Sequence, residues 1–330
     1  MQLLRKLALP IAFLYGLVVR IRNFCYDTGI FPSRTFITPT IGIGNLSVGG
    51  TGKTPMVELL VELFRTTHRI AVLSRGYRRR TKGFVLAGSD SNASDIGDEP
   101  LQLYSKFPGL IVAVDANRQR GISLLQEQLE PNLILLDDAF QHRKVRPDVS
   151  ILLTAYGALY TDDYYLPAGN LRDSRQEAKR ADLIMVTKCP PGISVLEKQE
   201  ITSKLHPGSH QQILFASLEY DTLLGGRGKP LYLEELTGRP LTLVTGIARP
   251  EPLVTFLKAK GLEFEHLQFR DHHFFSEEEL KRIGGSPCVL TTEKDYIRMP
   301  QKPANLRYIK IRHKILGNGM ALLKERLKAL

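Results

Sequence analysis

Short runs of apolar residues recur between longer amphipathic stretches over the first 190 residues of the chain. Near-continuous apolar runs are typical of parallel strands covered on both faces, with crossover helices between them. The pattern therefore predicts an α/β fold with a mostly parallel sheet flanked by helices. After a first strand at Pro39–Gly44, the predicted strands are Ile70–Leu73, Leu110–Val114, Leu133–Leu136, Val149–Leu153 and Leu183–Val186.

A second series of apolar runs follows the glycine-rich, basic stretch 223–230, whose composition is typical of a linker. We therefore expect a main domain over residues 25–222 and a smaller α/β domain over residues 223–330. The strands predicted for the smaller domain are 241–245, 264–269, 289–292 and 308–311, with helices near 250–260 and 321–330.

The N-terminal segment 1–24 carries an apolar stretch, Leu7–Val19, between basic residues. A membrane-spanning helix needs about 20 apolar residues, so this stretch is short for one. A signal peptide lacks its small-residue cleavage site here, because Arg20 and Arg22 stand in that place. The segment best fits a helix lying in the membrane interface, with basic flanks toward anionic headgroups. A buried core helix is the alternative.

The amino-acid composition limits the kinds of partner that the chain is expected to bind. The chain has 330 residues and a formal net charge of +11, which implies an anionic partner: nucleic acid, anionic lipid or a phosphorylated substrate. The signals of nucleic-acid binding, aromatic stacking residues and helicase-type motifs, are missing. The 3 cysteines are far apart and give neither a zinc spacing nor a disulfide framework, so a reducing compartment is expected. The sequence does not reveal the oligomeric state.

The stretch Gly44–Pro55 carries the strongest functional signal. It lies between an apolar strand and the helical pattern Met56–Phe64, as a phosphate-binding loop does. Its glycines let backbone N–H groups surround an anion, Lys53 can reach the β- and γ-phosphates, and Thr54 can bind Mg²⁺. One position departs from the strict pattern, because Ser47 replaces the first glycine; an ordinary glycine-rich turn is the alternative. The predicted nucleotide-binding residues are Ser47, Val48, Gly49, Gly50, Thr51, Gly52, Lys53 and Thr54.

Acidic residues follow two of the predicted strands. Asp137 and Asp138 end the apolar run at Leu136, where phosphate-loop enzymes place an acid that helps to hold Mg²⁺; a helix cap is the alternative. Asp98 and Glu99 form a turn at Gly97–Pro100. Residue patterns alone favour a plain helix cap for Asp98, and the functional alternative is general-base work on an acceptor hydroxyl.

Three further loops carry candidate residues. His272, in Asp271–Phe274 of the smaller domain, is a candidate base, although adjacent histidines on a loop are often only solvated. The loop Ser74–Arg80 holds four arginines that suit a phosphate or an anionic headgroup, with a solvated basic loop as the alternative. Arg172 could stabilise charge on a transferred phosphoryl group.

These motifs, taken in order, resemble the tetraacyldisaccharide 4′-kinase family, the lipid A 4′-kinases of Gram-negative bacteria. The resemblance covers nearly the whole chain. It is carried by the loop at 44–55, S-R-G-Y at 74–77, G-D-E-P at 97–100, L-D-D-A-F-Q-H-R at 136–143, L-P-A-G-N-L-R at 166–172, D-H-H at 271–273 and T-E-K-D at 292–295.

The resemblance implies transfer of the ATP γ-phosphate to the 4′-hydroxyl of a tetraacylated glucosamine disaccharide 1-phosphate. It also implies Mg²⁺ and a peripheral enzyme on the cytoplasmic face of the inner membrane. It makes Asp98 and His272, rather than His273, a dyad at the acceptor, and places Arg172 near the nucleotide phosphates. An acylated phosphosugar would suit both the basic surface and the interfacial helix.

The basic loop and the turn at 97–100 supply the candidate substrate-binding residues Arg75, Tyr77, Arg78 and Glu99. The family often reads S-R-G-Y-G, whereas Arg78 follows Tyr77 here. The main rival is a phosphate-loop GTPase or metallochaperone acting as a switch. Guanine readers usually carry N-K-x-D after a late strand, and Thr187–Pro190 lacks both the Asn and the Asp.

Overall fold

The computed structural model describes residue 5, residues 7–328 and residue 330. Its strands form two sheets. In chain order they are β1 (Thr40–Asn45), β2 (Ile70–Ser74), β3 (Val85–Leu86), β4 (Ile111–Val114), β5 (Leu133–Leu136), β6 (Val149–Ala155), β7 (Leu183–Thr187), β8 (Gln212–Tyr220), β9 (Leu223–Gly226), β10 (Leu231–Tyr232), β11 (Thr242–Thr245), β12 (Glu265–Gln268), β13 (Val289–Thr292), β14 (Leu306–Ile309) and β15 (Ile311–Ile315).

The larger sheet has nine strands in the order β15-β8-β7-β6-β1-β5-β2-β4-β3. Its centre is parallel, with β1 between β5 and β6, and antiparallel pairing is confined to the edge strands β3 and β15. Every residue of β1, β2, β5 and β7 is buried, which is why these strands read as continuous apolar runs. The predicted α/β class and the mostly parallel sheet are confirmed.

Helices cover both faces of this sheet. Alternate residues of a strand point to opposite faces, so Val72 packs in the core beneath α2, and Leu73 packs against α5 on the other face. The helices are α1 (Leu9–Asp27), α2 (Lys53–Phe64), α3 (Ala93–Ile96), α4 (Asp98–Lys106), α5 (Arg118–Leu129), α6 (Val195–Leu205), α7 (Glu251–Ala259), α8 (Glu277–Gly284), α9 (Glu293–Arg298) and α10 (Gly319–Leu327).

The smaller sheet has six strands in the order β10-β9-β14-β13-β11-β12. Strands β11 to β14 are parallel, and β9 and β10 form an antiparallel edge. Leu253 and Leu257 of α7 are buried against this sheet. The residues from β9 to β14 therefore form the smaller α/β unit expected from the second series of apolar runs.

The chain departs from the expected division at two places. The stretch expected as a linker forms β9, whose glycines leave room for the Tyr308 ring: a Cβ at Gly225 would lie 2.1 Å from the Cζ of Tyr308. The last residues leave the smaller sheet, because β15 pairs with β8 at the edge of the larger one and α10 packs in the core of the first domain. The smaller unit is thus inserted between β8 and β15.

Helix α1 packs along the first domain and is longer than the apolar stretch that predicted it. Ala12, Gly16, Val19 and Asn23 form its buried stripe, and the Asn23 amide donates a 2.7 Å hydrogen bond to Asp173. Its other faces expose large apolar side chains: Leu9, Ile11, Phe13, Leu14, Leu17, Val18, Ile21 and Phe24. By length and composition alone this helix could also cross a membrane.

Candidate active site

The predicted phosphate-binding loop connects β1 to α2 at the carboxyl edge of the larger sheet. Gly49 and Gly52 have φ values of 114° and 87°, a region that side chains other than glycine rarely adopt. Gly52 precedes the first turn of α2, so the free N–H groups of this helix face the loop. The backbone is therefore shaped as a cradle for an anion.

The side chains around Lys53 form one ion-pair network. Lys53 Nζ lies 3.5 Å from Asp138 Oδ1 and 3.3 Å from Asn45 Oδ1. The Arg172 guanidinium binds both carboxylate oxygens of Asp138, with Nη1 donating to Oδ2 at 2.9 Å, and it also contacts Asn45. Burial alone would raise the pKa of Asp138, but the hydrogen bond from Arg172 and the charge of Lys53 outweigh it and hold this pKa well below its usual range.

Asp137 has a different environment from its neighbour. Its Oδ2 accepts a 3.0 Å hydrogen bond from Ser74, while its buried Oδ1 has no hydrogen-bond partner in the described part of the chain. Burial, together with the charges of Glu99 and Asp138, raises the pKa of Asp137 to about 6. The adjacent acids are thus one strongly ionised carboxylate and one whose ionised form a nearby cation would stabilise.

Three buried oxygens in and near the phosphate-binding loop are suitable ligands for Mg²⁺. Asp137 Oδ1, Ser47 Oγ and Thr51 Oγ1 are all buried without partners among the described residues. Within the same residues no group of three or more His, Cys, Asp or Glu side chains is arranged to hold a metal by itself. Mg²⁺ bound through one or two carboxylates and substrate phosphates fits both observations.

The candidate dyad bridges the two domains. Asp98 does not cap α4: Gly97 occupies the N-cap, and the Asp98 side chain turns toward the smaller domain. His272 Nδ1 lies 3.1 Å from Asp98 Oδ2, and Arg298 Nε donates to the same oxygen at 2.7 Å. Burial alone would raise the pKa of Asp98, but the neighbouring His272 ring and the charge of Arg298 outweigh it and lower this pKa.

Glu99 connects the dyad to the phosphate loop. Lys294 of the smaller domain donates a 2.6 Å hydrogen bond to Glu99 Oε1. The charge of Lys294 outweighs burial and lowers the pKa of Glu99 to about 2, with further contributions from Lys53 and from the Thr54 hydroxyl. Glu99 thus lies close to the phosphate loop, while its neighbour on the same helix turn, Asp98, contacts His272 of the smaller domain.

The basic loop after β2 borders the dyad. Arg75, Tyr77 and Arg78 are exposed, and the Tyr77 ring centroid lies 6.3 Å from that of His272. Arg78 has a φ of 61°, in the left-handed region that glycine prefers. This conformation explains why glycine suits the same position in the family pattern S-R-G-Y-G.

The predicted site residues fall into two groups that meet at Asp98 and Glu99: the loop with Lys53, Thr54, Asp137, Asp138 and Arg172, and the dyad with the basic loop. Three residues that contact them were not predicted. Asn45 lies within the quoted loop motif and Lys294 within T-E-K-D, so each had a weak sequence signal. Arg298 had none, because its partners are distant in sequence.

Comparisons with known proteins decide the family. A family model described as tetraacyldisaccharide-1-P 4′-kinase matches residues 4–329. The chain belongs to this family. It is therefore a kinase, as the sequence resemblance implied, and the alternative of a GTPase or metallochaperone switch is not favoured.

Individual relatives agree with this family assignment. The chain is 47% identical over 324 residues to a tetraacyldisaccharide 4′-kinase of Flavobacterium johnsoniae, covering 96% of this chain and 95% of that protein. It is 43% identical over 320 residues to the same-named protein of Bacteroides thetaiotaomicron, covering 91% and 84%. A crystal structure of LpxK from Aquifex aeolicus in complex with ATP superimposes with a TM-score of 0.82 and 30% identity, covering 99% of both chains.

Proposed function

We propose that this chain transfers the γ-phosphoryl group of ATP to the 4′-hydroxyl of a tetraacylated glucosamine disaccharide 1-phosphate. The observation that carries the proposal is the proximity of the phosphate-binding loop to the Asp98–His272 dyad. After Lys294, the charge of Lys53 and the hydroxyl of Thr54 contribute to the low pKa of Glu99, and its neighbour Asp98 forms the dyad with His272. A donor phosphate on the loop and an acceptor hydroxyl at the dyad would then be neighbours, as direct transfer requires.

The loop and its cations would hold the donor. Backbone N–H groups at 49–54 surround the phosphates, and Lys53 neutralises charge on the β- and γ-oxygens. Lys53 and Arg172 are both paired with Asp138, so the entering phosphates would compete with this carboxylate for the two cations. Arg172 is then close enough to stabilise the charge on the transferred group.

The dyad would receive the acceptor proton. The 4′-oxygen forms a bond to the γ-phosphorus, the bond from phosphorus to the bridging β,γ-oxygen breaks, and ADP leaves with that electron pair. Among the described residues both side-chain contacts of Asp98 are to Oδ2, which leaves Oδ1 to accept the hydroxyl proton. Arg75, Tyr77 and Arg78 border this position and would hold the sugar and its anionic group.

Mg²⁺ would be held by Thr54, Asp137 and Asp138 together with the nucleotide. When bound, it supplies charge neutralisation on the β- and γ-phosphates. The protein contributes Oδ1 of Asp137, which has no hydrogen-bond partner among the described residues, and burial next to other acids raises the pKa of this carboxyl. A cation at this oxygen would favour the ionised form.

Helix α1 would anchor the enzyme to the membrane surface. It packs on the first domain through one stripe and exposes a broad apolar surface, as a helix in the membrane interface does. The Tyr15 hydroxyl donates to the backbone oxygen of Arg172 at 3.0 Å, so the helix lies next to the active-site segment. Because ATP is the donor, we place the enzyme on the cytoplasmic face of the inner membrane, as a peripheral protein.

The test is a direct assay. The purified chain is incubated with labelled ATP, Mg²⁺ and the disaccharide lipid in detergent micelles, and the product is identified by mass. We expect one phosphoryl group to be gained by the natural acceptor and none by a 4′-deoxy acceptor. Equal labelling of both acceptors, or strong preference for GTP without a phosphorylated lipid, would contradict the proposal.

A further inference from the structure

Arg298 occupies a position that the mechanism above does not explain. It lies at the end of α9 in the smaller domain, and its side chain is only 1% exposed. A buried guanidinium must find acceptors for its N–H groups. Nη1 donates to the backbone oxygen of Gly246 at 3.0 Å and to Asp295 Oδ1 at 3.1 Å, while Nε donates to Asp98 Oδ2 at 2.7 Å.

The remaining nitrogen of Arg298 meets the other member of the dyad. Nη2 lies 3.0 Å from His272 Nδ1, and Asp98 Oδ2 lies 3.1 Å from the same Nδ1. A guanidinium nitrogen can only donate and a carboxylate can only accept, whereas a neutral ring nitrogen does one or the other. Arg298 and Asp98 therefore compete for this nitrogen, and the outcome decides which tautomer His272 adopts.

We propose that Arg298 is a positioning residue for phosphoryl transfer, which fixes Asp98 by Oδ2 and keeps Nδ1 of His272 as a hydrogen-bond acceptor. Oδ1 of Asp98 is then left toward the acceptor, and the proton of neutral His272 resides on Nε2. The role in transfer rests on the proposed function; the orientation of the two side chains does not.

The planar shape of the arginine side chain is needed for this role. Its planar fork donates in three directions at once, to Asp98, to His272 and to Gly246. A lysine ammonium carries a similar charge but lacks this fixed geometry. Arg298→Lys should therefore restore the ion pair with Asp98 without fixing His272, and its rate should fall between that of the wild type and that of Arg298→Met.

The competing explanation is that Arg298 only holds the two domains together. Another residue of α9 provides a control for that role. Glu293, also on α9, accepts a 3.1 Å hydrogen bond from Lys106 of the first domain, away from the dyad. Glu293→Gln weakens that contact between the same two helices. Lys106 stays paired with Glu58 at 2.8 Å, so the variant leaves no buried cation unpaired.

The kinetic test compares these variants in steady-state assays over a range of ATP concentrations with saturating lipid. We expect Arg298→Met to lower kcat by about 10²-fold with KM for ATP within about threefold, and Glu293→Gln to keep kcat within about threefold. In an Asp98→Asn background, Arg298→Met should cost less than about threefold more, because the group it positions is absent. Equal losses in both backgrounds, or a loss matched by Glu293→Gln, would overturn the proposal.

A spectroscopic arm is independent of turnover. In protein with ¹⁵N-labelled histidine, the His272 signal is assigned by its loss in His272→Gln. We expect the Nε2–H tautomer in the wild type and a shift to Nδ1–H bonded to Asp98 in Arg298→Met. An unchanged tautomer would refute the orientation even if the wild type phosphorylated a different acceptor. If Arg298→Met does not fold, Arg298→Lys carries both arms.

Discussion

Two buried acids that share one lysine make the stability of the protein depend on pH. Glu58 on α2 and Glu293 on α9 share one cation, Lys106 of α4, whose Nζ lies 2.8 Å and 3.1 Å from them. Gln102 also donates to both acids, and its own Oε1 is buried without a partner among the described residues. When both acids are ionised, the cluster therefore holds one negative charge in excess.

Burial, only partly offset by Lys106 and reinforced by Glu293, raises the pKa of Glu58 from 4.5 to about 7. At about 1.4 kcal/mol per pH unit this corresponds to about 3 kcal/mol. Because the folded pKa is raised, the stability that Glu58 contributes is fully present below pH 4.5 and is lost as pH rises through about 7. Glu58→Gln removes this dependence and offers an amide to the unpaired oxygen of Gln102.

We therefore expect the unfolding free energy of Glu58→Gln, relative to the wild type, to increase by about 3 kcal/mol between about pH 4.5 and about pH 8. In thermal melts this is a relative gain of about 5 °C in Tm. Glu62→Gln, which removes the same charge from an exposed position of the same helix, is the matched control and should show no such trend. A flat difference between Glu58→Gln and wild type across this pH range would refute the reasoning.

Three further predictions concern the loop, the first helix and the central strand. Lys53→Met should lower kcat by about 10³-fold in the lipid phosphorylation assay, because it removes charge neutralisation at the transferred phosphate; near-normal turnover would contradict its role. Phe13→Asp should weaken binding to anionic vesicles in sedimentation assays without changing Tm, whereas a large drop in Tm would favour a buried helix. A Cβ at Gly44 would lie 2.5 Å from the Cβ of Phe140 and 2.9 Å from its backbone nitrogen, so Gly44→Ala should destabilise the protein by about 2 kcal/mol in denaturant unfolding; an unchanged midpoint would show that the strand adapts.

The parts of the fold that could be predicted are those whose signal is local. Buried parallel strands such as β5 are recognisable because both faces are covered and the run is continuously apolar. The loop before Lys53 is recognisable because a phosphate cradle requires glycine at particular positions. These signals need no knowledge of what lies elsewhere in the chain.

The parts that could not be predicted depend on distant residues. Strand β15 alternates buried and exposed positions at a sheet edge, so it carries no continuous apolar run, and only pairing with β8 assigns it to the larger sheet. Arg298 meets Asp98 across a separation of 200 residues, and no spacing rule joins them. The meeting of Asp98 with His272 was expected only through the family resemblance.

The return of the chain to the first sheet has a mechanical consequence. Ile311 pairs with Tyr220, and the Asp221 N–H donates to the Lys310 oxygen at 3.0 Å, so the inserted domain enters and leaves through two adjacent strands. Two strands joined by hydrogen bonds resist rotation about either strand more than a single connecting strand would, so this connection restricts twisting between the domains. His313, just beyond this connection, lies with Nε2 2.9 Å from the Gly52 oxygen, so the last strand of the chain directly supports the predicted phosphate-binding loop near the start of the chain.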